Sequence, residues 1–313
     1  MNQKKWDVYV YGDVNIDIVI PGVEKFPEPG QEEEVPVMET FVGGGSALFA
    51  LGIGKLGLRP VFQGEIGDDC YGEFIRRKFR EGNVDQSLLR TSSTEKTGIS
   101  LSFTNEHDRC FLSYRGTNAK IRIEEVDLAQ AAQANHIHVT GYAGEANHDS
   151  YLKFLKKVKA DTGASVSFDV GWDPTGVWKP EIYELFPFID ILFMNQTEAA
   201  HYSRMSSPQE TAADFARHCG TSVIKMGKMG SIAARGSGQY RAASCQVEAV
   251  DTTGAGDSFN AGFIYGFLKG KSVEECLKCG NGCGALSVTA LGGNTGFPDE
   301  RRLMEFIAAQ DRL

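Results

Sequence analysis

Short apolar runs of strand length alternate along this chain with longer segments whose apolar residues recur three and four positions apart. "DVYVYGDVNIDIVI" predicts a strand followed by a second extended segment. "GSALFALGIGKLGL" then predicts a helix, "PVFQGEIG" a strand, and "CYGEFIRRKFREG" an amphipathic helix that Gly82 is placed to end. Further along, "ANHIHVTG", "SVSFDVG", "DILFMN" and "TSVIKMG" read as strands. "HDSYLKFLKKVKADTG" and the segment from "TEAAHYSRM" read as helical, and "GSIAARGSGQYRAAS" as a hairpin. The last helices are "SFNAGFIYGFLKG" and "SVEECLKCGNGCGALSVTAL", where Ser272 and Glu275 suit a capping box. Such alternation predicts an α/β fold with a mostly parallel sheet covered by helices.

Two stretches break the rhythm. "TGISLSFTNEHDRCFLSYRGTNAKI" has period-2 alternation around a polar turn at Asn105–Arg109, and residues 16–40 form an extended run interrupted by "PEPG". Together, about 16–40 and 97–121, they predict a small β-sheet lid within a single domain spanning 1–313. Composition sharpens this only slightly. A net charge of −9 argues against nucleic acid as a partner, because phosphate-backbone binding needs a Lys/Arg-rich surface. No apolar run is long enough to span a bilayer, and no small-residue cleavage site follows "MNQKKW", so a cytoplasmic protein is expected. The seven cysteines are read as reduced, and Cys276, Cys279 and Cys283 share one helical face where small residues pack closely.

Glycine-rich segments carry the candidate chemistry. "GIGKLG" at 52–57 matches a dinucleotide fingerprint in letters, but it lies in the second half of a helix instead of opening one. "GKS" at 270–272 has Tyr265 where a phosphate loop needs its first glycine. "GGNTG" at 292–296 reads as a turn. "VDTTGAGDSFNAG" differs: Gly254, Ala255 and Gly256 fall where the strand-like "CQVEAVDTTG" meets a helix N-terminus. Bare residues there let a ligand approach amides that have no partner inside the helix, and the helix dipole favours an anion. Asp257 is then either a helix cap or a base accepting a proton from a hydroxyl that attacks a phosphoryl group. Spacing leaves both open.

"DTTGAGDSFNAGFI", with "GDVNID", "GGGSALFALGIGKLG", "GEIGDDCYG", "YRGTNA", "FDVG", "NQTE", "KMGKMG" and "NGCGALSVTALGG" in the same order, resembles the ribokinase-like, PfkB-type carbohydrate kinases over nearly the whole chain. The resemblance implies a three-layer α/β/α sandwich with a β lid, and transfer of the ATP γ-phosphate to a hydroxyl of a small sugar, with Mg2+. It implies Asp257 as catalytic base and the amides of Gly254, Ala255 and Gly256 as anion hole. Asn195 and Glu198 match the pair that organises Mg2+ through water. Lys225, Gly227 and Gly230 match the ATP loop, and Asn281 a residue beside the adenine. Asp251, Thr253, Ser287, Ala290, Gly292 and Gly296 match loops that hold a monovalent cation, K+, in some members. At the sugar end Asn15 and Asp17 match hydroxyl-binding positions, with Asp13 as a neighbour in the same role. Gly43, Gly44 and Gly45 match the sugar-side glycine turn. A homodimer through the lid follows from the same resemblance.

The chain departs from the family pattern in two places. Leu48 stands where members usually carry Asn, and Asp173 would repel the carboxylate of a sugar acid. A nucleoside kinase of the same fold is therefore an alternative, as are a non-catalytic sugar or nucleotide sensor and, on "GIGKLG" alone, a dinucleotide oxidoreductase. His136 and His138 are expected in the core, on opposite sides of their strand, and Arg115 in the lid arm, reaching substrate or solvent.

Overall fold

The structure, a computed structural model, describes residues 4–23, 26–104, 109–142, 147–310 and 312. The first half runs β1 (Trp6–Tyr11), β2 (Asn15–Pro21), β3 (Glu39–Gly43), α1 (Gly45–Lys55), β4 (Pro60–Gly67), α2 (Cys70–Glu81), β5 (Asp85–Ser92), β6 (Gly98–Thr104) and β7 (Arg109–Tyr114). It continues through α3 (Leu128–Ala131), β8 (Ala134–Thr140), α4 (His148–Asp161), β9 (Ser165–Asp169), β10 (Ile191–Asn195), α5 (Gln196–Ser203), α6 (Pro208–Phe215) and β11 (Thr221–Lys225). The hairpin β12 (Ser231–Arg235) and β13 (Gly238–Ala242) precedes α7 (Ala255–Leu268), α8 (Val273–Ser287) and α9 (Glu300–Gln310).

Nine strands form the main sheet in the order β13-β12-β11-β10-β9-β8-β1-β4-β5, parallel from β11 to β5 and antiparallel at the β12–β13 edge. Alternate residues of each strand enter opposite cores, as a parallel sheet covered on both faces requires. Tyr9, Tyr11, Leu192 and Met194 pack with α4, α5 and α6, whereas Val8, Val10, Ile191 and Phe193 pack with α1, α2 and α7. The order reverses at β1: the chain builds outward to β4 and β5, then returns beside β1 as β8. A ligand crevice is expected outside the carboxyl ends of the strands at such a switch. Four further strands, in the order β3-β2-β6-β7, make the separate small sheet expected as a lid. The turn expected near Asn105–Arg109 falls mainly on 105–108, outside the described residues.

Several local readings change. "CQVEAVDTTG" is not a strand: residues 243–249 join neither sheet, and Ser244–Val247 line a cleft. α2 ends at Glu81 as expected, yet the left-handed residue is Asn83 (φ 56°), not Gly82. His136 and His138 share one side of β8, because residues two apart on a strand must. Both ring systems contact the Ser167 hydroxyl, His136 Nε2 at 2.6 Å and His138 Nδ1 at 2.7 Å. Burial holds them neutral, pushing His136 down to about 3 and His138 well below the usual range. Asp85–Ser92, α6 and α9 went unpredicted.

The glycines of "GIGKLG" serve packing. A Cβ at Gly52 would come 2.8 Å from that of Ala261 on α7, and one at Gly54 would lie 2.0 Å from the Gly82 carbonyl. Gly262 and Gly266 likewise admit Cys283 and Cys276 of α8 at 2.8 and 3.1 Å, so two helices meet nearly backbone to backbone. This fixes α7, whose N-terminus bears the candidate site. The Ser272–Glu275 capping box is present on α8. Gly54→Ala is expected to destabilise the protein by about 1–3 kcal/mol, since rigid backbone stands in the way. Equilibrium urea unfolding at unchanged m-value measures this, and a wild-type midpoint would show the glycine is dispensable.

Candidate active site

The site forms where α7 begins, facing the start of α1 and the ends of β9 and β11. Gly254 precedes α7 in a left-handed conformation (φ 71°), and no side chain caps the helix. A Cβ at Gly254 would sit 2.6 Å from the Gly293 carbonyl. Ala255 N makes one long contact to the Thr252 carbonyl at 3.4 Å. The opening of α7 is thus bare on the side of Gly256, as an anion site demands.

Asp257 belongs to that first turn and lies against the glycine turn before α1: a Cβ at Gly45 would stand 3.1 Å from its Oδ1. Burial holds its pKa well above the usual carboxylate range, with Asp169, Asp13 and Asp17 adding repulsion and Lys225 opposing. A raised carboxylate is a stronger base than an exposed one. Asp17 is pushed up to about 6, by burial first and then by Asp13 and Asp251, against the Asn15 hydrogen bond. Asn15 Nδ2 donates to Asp17 Oδ1 at 2.7 Å, and Gly43 lies directly under that carboxylate. Asp13 faces the glycine turn before α1. Its two oxygens accept from Gly45 N at 3.1 Å and Ser46 N at 3.0 Å, capping α1 and holding the glycine turn in place. Gly44 takes φ 94° directly above the Asp13 carbonyl. Ser46 Oγ meets Thr140 Oγ1 at 2.6 Å, bridging α1 to β8 across the switch point.

On the other side of α7, a cleft of about 410 Å3 is lined by Lys225, Gly227, Gly230, Gly256 and Asn281, all singled out in the sequence. Gly227 (φ 55°) and Gly230 (φ 86°) shape its loop, and a Cβ at Gly230 would strike the Ala242 carbonyl at 2.1 Å. Asn281 donates to the Ala242 and Ala243 carbonyls at 3.1 and 2.9 Å, tying α8 to the end of β13. Asn195 and Glu198 form a complete capping box on α5: Asn195 Oδ1 accepts from Thr197 N and Glu198 N, and Glu198 Oε2 from Asn195 N. Glu198 is buried, and burial plus Asp169 raise its pKa. The Asn195 carbonyl is therefore committed to the helix, and Glu198 is the member facing the charged centre.

Two residues that sequence reasoning did not single out complete that centre. Lys225 Nζ lies 2.7 Å from Asp169 Oδ2 and 3.3 Å from Asn260 Oδ1, and Asn260 Nδ2 donates to the same Asp169 oxygen at 2.5 Å. Burial disfavours the ammonium, but Asp169 and Glu198 outweigh it and its pKa is raised. Asp169 stood in "FDVG" and Asn260 three residues after Asp257, on the same helical face. Only the i, i+3 spacing could have drawn attention to the latter.

The loops expected around a monovalent cation do meet. Asp251 Oδ1 accepts from Thr253 N and Oγ1 at 2.9 and 2.7 Å, and its Oδ2 from Gly292 N at 2.9 Å. Ser287 Oγ donates to the Gly284 carbonyl, Gly296 packs on the Ser287 carbonyl, and Ala290 lies in the turn between. Leu48 is buried against Gly254 and Gly293. Asp173 turns inward, accepting from Thr175 N, Thr175 Oγ1 and Trp178 N, so its carboxylate serves its own loop. Arg115 is exposed.

The model of the pfkB family of carbohydrate kinases matches residues 5–300. A 2-dehydro-3-deoxygluconokinase of Bacillus subtilis is 30% identical over 298 residues, covering 90% of this chain and 91% of that one. Arabidopsis thaliana ribokinase complexed with ribose and ATP superposes with a TM-score of 0.83 at 25% identity, covering 96% of this chain and 98% of that one. A putative ribokinase II from E. coli in complex with ATP and Mg2+ gives 0.84 at 24%, covering 97% and 99%.

The carboxylates fix a pH dependence. A carboxyl whose folded pKa is raised binds its proton more tightly folded than unfolded, so its contribution is present at low pH and lost as pH rises through the folded value. For Asp17 that window runs from about 4 to about 6. The ligand-free protein should lose melting temperature between pH 4.5 and 7, and Asp17→Asn should lose less. Parallel profiles for the two proteins would remove Asp17 as a source.

Proposed function

Because this chain belongs to the pfkB family of carbohydrate kinases, we propose that it transfers the γ-phosphate of ATP to a hydroxyl of a small sugar, with Asp257 as general base. The observation that carries the assignment is the juxtaposition at α7: a carboxylate of raised pKa stands in the same uncapped helical turn as the bare amides at Gly256. The sugar lies between Asp17, Asn15, the glycine turn at 43–45 and Asp257, under the small sheet. The nucleotide occupies the cleft lined by Gly227, Gly230 and Asn281, its terminal phosphate at the opening of α7.

The chosen hydroxyl donates a hydrogen bond to Asp257. A carboxylate remains a far weaker base than an alkoxide, so the proton moves to it late, as the new P–O bond forms and the bond to ADP breaks. Alignment under the lid and the amides at 254–257 supply most of the acceleration, since charge grows on the phosphoryl oxygens during transfer. The donors facing this region are carboxylate and amide oxygens, suited to a hard cation that keeps most of its waters. Glu198, with Asn195 ordering its helix, would hold Mg2+ through water, and the ion neutralises phosphate charge when bound. Asp251 and the 287–296 turn would hold K+, bracing the loop before α7. The reading includes a homodimer through the lid, whose edge strand β7 exposes Phe111, Leu112 and Tyr114; a monomer in sedimentation equilibrium would remove that part alone.

A panel of free sugars, sugar acids, sugar phosphates and nucleosides, read by ADP formation, identifies the acceptor. With the best acceptor, Asp257→Asn should lower kcat by roughly 10²–10⁴-fold while leaving ATP affinity within a few-fold. Turnover near the wild-type rate in that variant would show that the base lies elsewhere.

A further inference from the structure

One cation is built into the reaction centre from three separate elements. Lys225 ends β11, Asp169 ends β9, and Asn260 lies in the second turn of α7. β10 separates the two strands, and its Phe193 ring lies beneath the ammonium at 5.9 Å. Asp169 Oδ2 and Asn260 Oδ1 hold Nζ at 2.7 and 3.3 Å, and the Asn260 amide closes the triangle on Asp169 at 2.5 Å. An Asn that both accepts from the lysine and donates to the aspartate leaves Nζ little rotational freedom. That fixed Nζ stands beside the bare amide turn, only 3.4 Å from where a Cβ of Gly256 would be. The side chain also lines the nucleotide cleft.

A paired ammonium buried for stability alone is a poor investment, because apolar replacement of both partners is often no worse. Its placement makes sense if a second anion arrives. An ammonium has three donors. Asp169 and Asn260 account for two of them, and the side towards Gly256 is where the transferred phosphoryl oxygens would lie. Resting on the kinase reading above, we propose that Lys225 is a catalytic residue that bonds the γ-phosphoryl group during transfer, and that Asp169 and Asn260 are its positioning residues. Lys225 keeps its proton throughout: it neutralises oxygens that gain charge and takes no part in proton transfer, which stays between the hydroxyl and Asp257.

The test compares wild type with Lys225→Met, Asp169→Asn and the double variant, all as full chains checked by thermal melting. With the best sugar from the panel, Lys225→Met should lower kcat by roughly 10²–10³-fold at a sugar KM close to wild type. By calorimetry without sugar, it should weaken binding of a β,γ-imido ATP analogue at least about tenfold and of ADP far less. Asp169→Asn should show the same kcat-over-KM bias in milder form, and the double variant should lose little beyond Lys225→Met, since the aspartate acts through the lysine. Wild-type kcat and analogue affinity in Lys225→Met, or losses that simply add in the double variant, would overturn the proposal. If Lys225→Met fails to fold because Asp169 is left unpaired, Lys225→Met/Asp169→Met removes both charges and must still lose the preference for the analogue over ADP. The binding arm decides Lys225 even if no compound in the panel is phosphorylated, an outcome that would count against the kinase reading alone.

Discussion

A helix cannot satisfy its own first amides, and this molecule is organised around leaving those of α7 uncovered without letting the helix move. Most helices here are closed at the front by a side chain: Asp69 on α2, Asn195 on α5, Ser207 on α6, Ser272 on α8. α7 instead begins with Gly254 and has no such cap. An uncapped start costs on the order of 1 kcal/mol, and burial along the rest of the helix offsets it. Ser258 to Gly266 are buried throughout, wedged between α1 and α8. Glycines on all three helices allow the close approach, so the amides are presented by a helix held between two others.

Charge around that opening is arranged by the same logic. Asp13, Asp17, Asp169, Glu198 and Asp257 crowd one region with Lys225 among them, and burial together with that repulsion raises the proton affinity of Asp17, Glu198 and Asp257. In the ligand-free protein this repulsion is a standing cost in stability at neutral pH. It makes Asp257 more basic. The carboxylates differ in their partners: Asp13 holds a turn, Asp169 holds a lysine, and Asp17 accepts from Asn15.

The lid and the cation-type loop reach the same point from further away. Phe41, on β3 of the small sheet, packs on Gly292, whose amide is bonded to Asp251 just before α7. A change in the lid's position therefore has a short mechanical route to the turn that opens α7. Leu48 sits on that route, between Gly254 and Gly293. Its apolar side chain packs under that loop.

The sequence by itself determined the alternation that makes a parallel sheet, the break in rhythm that makes the lid, and the glycine-rich helix opening with Asp257 beside it. Each is local: periodicity, a missing Cβ and a helix start are properties of neighbouring residues. "CQVEAVDTTG" misled because alternation is a local property, and whether a strand lies alongside to pair with is not. Only the tertiary structure decided that Asp13 caps α1, that Asp173 turns inward, and that Asp169, Lys225 and Asn260 meet. Those three come together because β9 and β11 flank β10 and α7 crosses their ends. Strand order is set by how whole faces pack, and no window of the sequence contains it.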